Sequence, residues 1–343
     1  MIISRTPFRV SLFGGGTDYP AWYLRHGGAV IGTTINKYCY ISVRHLPPFF
    51  TYRHRIVYSA IENVKEVGEI NHPAVRAVLH DMQVHDGLEI HHDGDLPARS
   101  GLGSSSSFTV GLVHALRALR GRMTTARQLA DEAIRIEQQV VREPVGSQDQ
   151  IWAAYGGSNL ISFHEDGSYQ VMPLIMPPER RQELQDSLLL FFTGLSRYST
   201  EIAAKKIANF AKRENELCAI GQQVSEAASI IQSERRPLSE IGELLREGWQ
   251  LKRRLADGVS TPEIDDIYEA GRAAGALGGK LLGAGGGGFF LFFVKPGDRQ
   301  AVRHALRKLV QVPVEIGSAG SRIVVYEPSG LEMAGEGYPF AAE

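Results

Sequence analysis

The chain has 343 residues, a net charge of −1 at pH 7 and 43% hydrophobic residues. This length suits two domains, or one large domain, with an ample core. The near-zero charge excludes the strong basic footprint of a nucleic-acid-binding protein. No apolar run approaches the roughly 18 residues of a membrane span. The apolar stretch at the N-terminus is too short for a signal peptide, so we expect a cytoplasmic protein. The sequence leaves open whether it forms a homo-oligomer.

The first glycine-rich block follows the first predicted strand. Residues Phe8–Phe13 are predicted to form a short strand, which runs directly into Gly14–Gly16, Thr17 and Asp18. A strand end that opens into glycines leaves the backbone accessible, and it suits the binding of a small substrate. The same pattern is also typical of an N-terminal strand and turn that is capped by an Asp.

The second block lies between an alternating segment, Gly87–Asp95, and an apolar-periodic helix that runs from Phe108 to Leu119. The intervening loop, Leu96–Ser107, is rich in glycine and serine. Glycines allow a ligand to approach the backbone, and the first N–H groups of a helix have no internal partner. With the helix dipole they favour phosphate. The loop lacks the Lys-Ser/Thr pair of a Walker A motif, and a capped helix after a flexible loop is the alternative.

Two carboxylates follow in the next predicted helix and turn. Apolar residues at helical spacing predict a helix over Ala126–Val141, and Glu137 adjoins its apolar stripe. An unpaired carboxylate there would be costly, so Glu137 either pairs with a cation such as Arg142 or binds a ligand. Pro144 cannot extend the helix, which places Asp149 beyond its end in a glycine-containing turn.

The second half begins after a proline-rich stretch, Tyr169–Pro178, that we interpret as a linker between domains at residues 1–178 and 179–343. Five glycines in the six positions 283–288 exclude a helix interior and lead into the buried strand Phe289–Val294. The overall organisation is therefore α+β. The remaining predicted elements of this half are the strand Ser187–Phe192, the helices Thr200–Ser233, Leu238–Ala256 and Arg299–Val310, and the strand Ser321–Tyr326.

Together the three blocks resemble the three motifs of the GHMP kinases, the family named for galactokinase, homoserine kinase, mevalonate kinase and phosphomevalonate kinase. Pro97 and the Gly-Leu-Gly-Ser-Ser run at 101–105 match the central motif, and 283–288 match the third. Gly15 and Gly16 replace a Glu-His pair that contacts the sugar in galactokinases, which argues against galactose. In the first block the matching residues are Arg9, Gly14, Thr17, Asp18 and Tyr19.

The resemblance covers almost the whole chain and implies a fold, cofactors and residue roles. The fold is the two-domain GHMP kinase fold, with a ribosomal protein S5 domain 2-like N-terminal domain, a ferredoxin-like C-terminal domain and the active site between them. ATP and Mg²⁺ are the implied cofactors, with Ser105 and Glu137 as metal ligands. Asp149 is implied to face the acceptor hydroxyl, and Arg9 to support it. The implied ATP-binding residues are Gly101, Leu102, Gly103, Ser104, Ser105 and Ser106. The implied substrate-binding residues are Gly15, Gly16, Thr17, Asp18, Gly285 and Gly286.

Three further stretches resemble the bacterial heptose kinase branch of the family. These are Gly14–Pro20, Gly146–Gly157 and Phe192–Arg197. The branch implies ATP-dependent phosphorylation of the anomeric hydroxyl of a heptose 7-phosphate, giving a 1,7-bisphosphate for surface polysaccharide synthesis.

A sugar phosphate needs a receptor for its phosphate. Arg197 is the first candidate because it stands in a Ser/Thr-rich turn that opens a helix, although a solvated loop arginine fits the same pattern. Arg44, Arg53 and Arg55 are weaker candidates. Two alternatives remain for the function: a 1-kinase of a neutral sugar such as fucose or arabinose, and a non-catalytic sugar sensor on the same fold.

Overall fold

The computed structural model describes residues 1–47, 49–98, 100–195 and 199–328. Its strands are β1 (Ile2–Phe13), β2 (Gly28–His45), β3 (His54–Val57), β4 (Ile61–Val64), β5 (Leu88–Gly94), β6 (Ser158–Phe163), β7 (Tyr169–Pro173), β8 (Leu188–Phe192), β9 (Ala276–Leu281), β10 (Phe289–Val294), β11 (Val310–Val312) and β12 (Arg322–Tyr326). Its α-helices are α1 (Pro20–His26), α2 (Pro73–Asp81), α3 (Ser104–Leu119), α4 (Ala126–Arg135), α5 (Gln148–Tyr155), α6 (Pro178–Asp186), α7 (Ser199–Asn209), α8 (Glu214–Gln232), α9 (Ser239–Arg253), α10 (Pro262–Ala273) and α11 (Arg299–Ala305).

The first domain is built on a sheet in the order β12-β1-β2-β5-β3-β4, with β6 also pairing with β2 and β7 with β6. The long strand β2 serves two neighbours, since its first half pairs with β6 and its second half with β5. The β1–β2 register shifts between Pro7 and Arg9. At that point the Arg9 amide donates to Leu102 O at 3.0 Å, so the second half of β1 is tied to the Gly/Ser loop.

Helix α3 packs across β1 and β2 through a largely buried face. Gly111 permits the close approach, because a Cβ at that position would lie 2.9 Å from Thr6 Oγ1. The Ser4 hydroxyl also donates to Gly111 O at 2.8 Å. These contacts fix the axis of α3, and they place its N-terminus at the end of β1 that carries the first glycine block.

The second domain contains an antiparallel sheet in the order β11-β8-β10-β9. Phe290 and Phe292 on β10 are fully buried and stack at 4.6 Å between ring centroids. Trp249 on α9 and Tyr268 on α10 pack against them. This aromatic core holds α9 against the strands that precede and follow the third glycine block.

Several predicted elements are present as predicted, and others differ. Phe8–Phe13 and Phe289–Val294 lie in β1 and β10. A helix follows the Gly/Ser loop as predicted, but it begins at Ser104, so the serines at 104–107 belong to α3 and not to the loop. The helix predicted over Thr200–Ser233 is instead two helices, α7 and α8, separated by a 3-10 turn at Phe210–Lys212. Phe210 turns inward there and contacts the Tyr19 ring at 5.7 Å.

Other observed element boundaries also differ from the predicted ones. The helix predicted over Ala126–Val141 is α-helical only to Arg135 and ends as a π-helical turn over Ile136–Val141. The helix predicted from Arg299 to Val310 already ends at Ala305. The first half of the proposed linker forms β7, which pairs with β6.

The last strand corrects the proposed assignment of the C-terminal segment. We expected Ser321–Tyr326 to close the second domain, but β12 pairs with β1, with Ile2 opposite Tyr326. The chain therefore returns to the first sheet after the second domain, a pairing that no local pattern could have predicted. No helix in the described part of the chain is long and apolar enough to cross a membrane.

Candidate active site

A pocket lies where the two domains meet, with residues from both in its wall. The cavity inside it measures about 170 Å³, well above the space that one water molecule needs, so it can hold more than a single ion. The first domain contributes the end of β1, the loop before α3 and the start of α5. The second domain contributes α7, α9 and the third glycine block.

A two-pronged ion pair stands at the centre of this pocket. Arg9 Nε donates to Asp149 Oδ1 at 2.7 Å and Arg9 Nη2 to Asp149 Oδ2 at 2.6 Å. The third guanidinium nitrogen, Nη1, donates to Gly101 O at 2.6 Å. Asp149 lies in the first turn of α5, not in the turn predicted beyond the preceding helix. The fork fixes the orientation of the carboxylate, which retains 25% side-chain exposure toward the pocket.

The N-terminus of α3 lies beside that pair. Gly103 has a φ of +75°, and a Cβ there would lie 3.2 Å from Arg9 Cγ and 3.4 Å from Asp149 Oδ2. The first helical hydrogen bond runs from Ser107 N to Gly103 O. The preceding amide groups of α3 have no partner within the helix, and Ser104, Ser105 and Ser106 line the pocket. This end of α3 can therefore receive an anion.

Glu137 is buried behind this loop, on the π-helical turn. Its Oε2 accepts from Ser106 Oγ at 2.9 Å and from Gln150 Nε2 at 2.5 Å. Burial raises the pKa of Glu137 to about 7, although the side chains of Thr109, Ser106 and Gln150 oppose that shift. The Thr109 hydroxyl itself donates a hydrogen bond to the backbone oxygen of Ser105 at 3.2 Å.

The other oxygen of Glu137, Oε1, has no hydrogen-bond partner among the described residues. A buried, unpartnered carboxylate oxygen next to a serine hydroxyl is a donor set that suits Mg²⁺. The structure brings Ser106 to Glu137, whereas the resemblance implied Ser105, which is exposed at the pocket wall. No group of three or more His, Cys, Asp and Glu side chains able to hold a metal occurs in the described part of the chain.

The first glycine block supplies a second pocket carboxylate. Asp18 is 1% exposed, and its Oδ1 accepts from Gly16 N at 2.8 Å. Burial raises the pKa of Asp18, and the nearby Asp149 charge adds to that effect. Gly15 and Gly16 also line the pocket. Thr17 is not among the residues that line the pocket. Its hydroxyl lies 2.9 Å from both Gly14 O and Ala29 O, so it ties the turn to β2.

The third glycine block braces the loop before α3. Phe289 N donates to Ser100 O at 3.1 Å, and a Cβ on Gly283 would lie 2.5 Å from Gly101 Cα. Gly283 lines the pocket, but Gly285 and Gly286, the predicted substrate contacts, face elsewhere. A Cβ on Gly285 would collide with the Val259 backbone, and Gly286 N donates to Val259 O.

Sequence reasoning missed three lysines of the second domain that line the pocket: Lys206, Lys252 and Lys280. Lys252 Nζ donates to Leu281 O at 2.6 Å and to Gly283 O at 2.7 Å. Lys280 Nζ donates to Leu12 O of the first domain at 2.9 Å. Burial lowers the pKa of all three, in the case of Lys280 to about 7.

A signal for two of these lysines was present in the sequence. Lys206 follows the buried Ile202 and Ala203 at helical spacing, and Lys252 follows the buried Leu245 and Trp249. A lysine on the apolar face of an amphipathic helix is rarely buried without a function or a partner.

Of the four predicted phosphate receptors, the three that the structure describes lie away from the pocket. Arg197 lies outside the described residues. Arg44 and Arg55 pair with Glu89 in the first sheet, and Arg53 lies within 3.9 Å of Glu66. The residues that line the pocket do not include these three arginines.

The comparisons with known proteins point to one family. The profile of the GHMP kinases N terminal domain matches residues 56–157, and that of the GHMP kinases C terminal region matches residues 229–311. The D-glycero-alpha-D-manno-heptose 7-phosphate kinase of Campylobacter jejuni is 28% identical over 318 residues, which cover 90% of this chain and 93% of that protein.

Two further relatives are more distant. The bifunctional fucokinase/GDP-fucose pyrophosphorylase of Arabidopsis thaliana is 26% identical over 90% of this chain but only 31% of its own length. The crystal structure of a D-glycero-D-manno-heptose 1-phosphate kinase from Bacteroides thetaiotaomicron superposes with a TM-score of 0.77 at 23% identity, over 95% of this chain and all of that one. It shares the two-domain fold. The profile matches span more than half of the chain, and the chain therefore belongs to the GHMP kinase family.

Proposed function

We propose that this kinase transfers the γ-phosphoryl group of ATP to the anomeric hydroxyl of D-glycero-α-D-manno-heptose 7-phosphate. The product, the 1,7-bisphosphate, would feed GDP-heptose and surface polysaccharide synthesis in the cytoplasm. The observation that carries the proposal is the bidentate Arg9–Asp149 pair beside the N-terminus of α3. The 28% identity with a heptose 7-phosphate kinase over nearly the full length of both chains supports the choice of acceptor.

Two sets of pocket groups act on the two substrates. The amides at the start of α3 bind the ATP phosphates, and the exposed edge of Asp149 receives the sugar hydroxyl. The sugar oxygen attacks the γ-phosphorus, the bond from phosphorus to the β–γ bridging oxygen breaks, and ADP leaves. The hydroxyl proton passes to Asp149. Arg9 holds Asp149 in place and offsets the negative charge that develops between the two substrates.

Glu137 and a serine of the α3 loop would hold Mg²⁺. The unpartnered Oε1 of Glu137 supports this role, since it leaves one buried oxygen free for a cation. When bound, Mg²⁺ neutralises charge on the β- and γ-phosphates. We expected Ser105 as the second ligand, and the contact of Ser106 with Glu137 makes Ser106 the competing candidate.

A direct test measures ADP release by the purified protein. The acceptors are heptose 7-phosphate, unphosphorylated heptose and L-fucose. The Asp149→Asn variant, in which we expect a much lower kcat, is the control. The proposal requires the highest kcat/KM with heptose 7-phosphate. The Arabidopsis relative, whose name includes fucokinase and which matches 90% of this chain, favours a neutral-sugar 1-kinase as the second candidate. Equal or higher kcat/KM with fucose would favour that alternative. No sugar-dependent ADP release with any acceptor would favour a sensor.

A further inference from the structure

Lys206 is a buried lysine in the pocket wall that has no hydrogen-bonding partner among the described residues. It is 3% exposed, lines the pocket, and forms no hydrogen bond or ion pair with any of the described residues. Its Nζ lies 5.9 Å from the centroid of the Tyr19 ring. A buried ammonium group is costly unless a counter-charge or hydrogen bonds compensate. Lys252 and Lys280, in contrast, donate to backbone carbonyls.

The lysines of the pocket form no ion pairs with described carboxylates, although Asp18 and Glu143 also line its wall. Arg9 is neutralised by Asp149, but Lys206, Lys252 and Lys280 form no ion pair with a carboxylate of the described chain. Asp18 is near enough to raise the pKa of Lys206, yet burial outweighs it and the pKa is lowered. The carboxylate of Asp18 is itself bound to Gly16 N. A dianionic group would therefore be stabilised here, and it would in turn stabilise the charged lysine.

Lys206 lies beside the first glycine block. Its Nζ faces the Tyr19 ring, and the charge of Asp18 acts on it, whereas Gly103 adjoins Asp149. Ala203 lies one turn before Lys206 on the same face of α7, and its short side chain also lines the pocket. Gly15 and Gly16 add no side chain. Short side chains and a positive charge thus occur together beside Lys206.

We propose that Lys206 is the receptor for the phosphate on the acceptor sugar, so that the sugar lies between Lys206 at its phosphate end and Asp149 at its reacting hydroxyl. The inference rests on the proposed function and names the residue that gives it specificity. Lys206 then recognises a phosphomonoester dianion on the sugar, separately from the ATP phosphates at α3.

The test compares kcat/KM for heptose 7-phosphate and unphosphorylated heptose in the wild type, Lys206→Met and Lys206→Gln. Loss of a charge-assisted contact should reduce the preference for the phosphorylated sugar by about 10- to 150-fold. The KM for ATP should change far less. Isothermal titration with heptose 7-phosphate in the absence of ATP should show the same loss of affinity, and Lys206→Arg should recover part of it.

Lys205→Met is the matched control, because Lys205 is the exposed neighbour on the same helix. It should retain the wild-type preference. If the wild type shows no preference between the two sugars, the proposed substrate is wrong. If the wild type prefers the phosphorylated sugar and folded Lys206→Met or Lys206→Gln keeps that preference, the substrate stands and Lys206 is not the receptor. The Gln variant keeps a polar side chain of similar reach if the Met variant does not fold.

Discussion

Arg9 binds both carboxylate oxygens of Asp149, at 2.7 and 2.6 Å, and uses its remaining nitrogen to hold Gly101 O at 2.6 Å. One side chain therefore connects the carboxylate that we propose receives the sugar proton to the loop that opens α3. The two substrates of a kinase must meet in line, and this connection fixes the distance between the groups that we propose bind them.

Asp149→Asn keeps the shape of the side chain but removes its charge and its ability to take a proton. We expect kcat to fall by about 10²–10⁴-fold, with a much smaller change in the KM for the sugar, because the lost interaction acts mainly in the transition state. Steady-state kinetics measure both values. A normal kcat with a raised KM would make Asp149 a binding residue only.

The metal assignment is tested by Glu137→Gln, Ser105→Ala and Ser106→Ala. Glu137→Gln should lower kcat by about 10²-fold, while metal-free ATP binding changes little. Ser106→Ala should also lower the free energy of unfolding by about 1–3 kcal/mol, since it removes a donor from a buried carboxylate.

Ser105 is exposed, so Ser105→Ala should leave the unfolding free energy unchanged and raise the Mg²⁺ concentration needed for half-maximal rate. Titrations of rate against Mg²⁺ compare the two serine variants. If only Ser106→Ala shifts the Mg²⁺ requirement, Ser106 is the ligand and the expectation of Ser105 is wrong. Wild-type turnover by Glu137→Gln would contradict the whole metal site.

Gly283→Ala tests whether the third glycine block braces the α3 loop. The new Cβ would lie 2.5 Å from Gly101 Cα, at a φ of +70°, so the loop must move. A shift of about 1 Å at a catalytic loop can cost about 10²-fold in rate, and overpacking costs about 1–3 kcal/mol of stability. Kinetics and urea unfolding measure the two effects.

Gly121→Ala is the matched control for this change. Gly121 has a φ of +67°, with nothing within 4 Å of an added Cβ. Gly121→Ala should lose about 1–2 kcal/mol of folding stability, because alanine is strained at this φ. It should keep the wild-type KM for ATP. Equal kinetics of the Gly283 and Gly121 variants would show that the contact with Gly101 does not support the site.

The buried Lys280 should make the free energy of unfolding depend on pH. Burial lowers its pKa to about 7, whereas an unfolded lysine titrates near 10.4. Between these values the unfolded chain binds more protons, so this group makes stability rise with pH, by at most about 1.4 kcal/mol per pH unit. The contribution is lost progressively as the pH falls from about 10.4, and the loss is complete near pH 7.

Urea unfolding of the ligand-free protein between pH 6.5 and 9.5 measures this slope. The slope should be smaller in Lys280→Met, because the contribution of Lys280 is missing. Part of the slope should remain, because burial also lowers the pKa of Lys206 and Lys252. Lys295→Met, at an exposed lysine just after β10, should follow the wild-type slope. Parallel curves for wild type and Lys280→Met would mean that Lys280 stays charged in the folded protein.

The sequence predicted the parts of the site that are local in the chain. The glycine blocks carry their own backbone geometry, such as the φ of +75° at Gly103. Thr17 belonged to the same motif, yet its hydroxyl is bound to the backbone of Gly14 and Ala29. A motif assigns residues to a turn, but it does not say which of them faces the ligand.

Residues that reach the site through tertiary packing were not predicted. Lys206 and Lys252 come from separate helices of the second domain, and only the packing of that domain brings them to the pocket. The return of β12 to β1 depends on the same long-range packing. The π-helical turn at Ile136–Val141, which carries Glu137, follows an ordinary amphipathic pattern and leaves no separate sequence signal.

Transfer of a phosphoryl group to the anomeric oxygen of heptose 7-phosphate can be followed by ³¹P NMR of the reaction mixture. We expect a new phosphate signal that couples to the anomeric proton and appears with ADP in equal amounts, while the 7-phosphate signal persists. Asp149→Asn should form this product at least about 10²-fold more slowly. A new phosphate on any other carbon, or ADP without a phosphorylated sugar, would contradict the account.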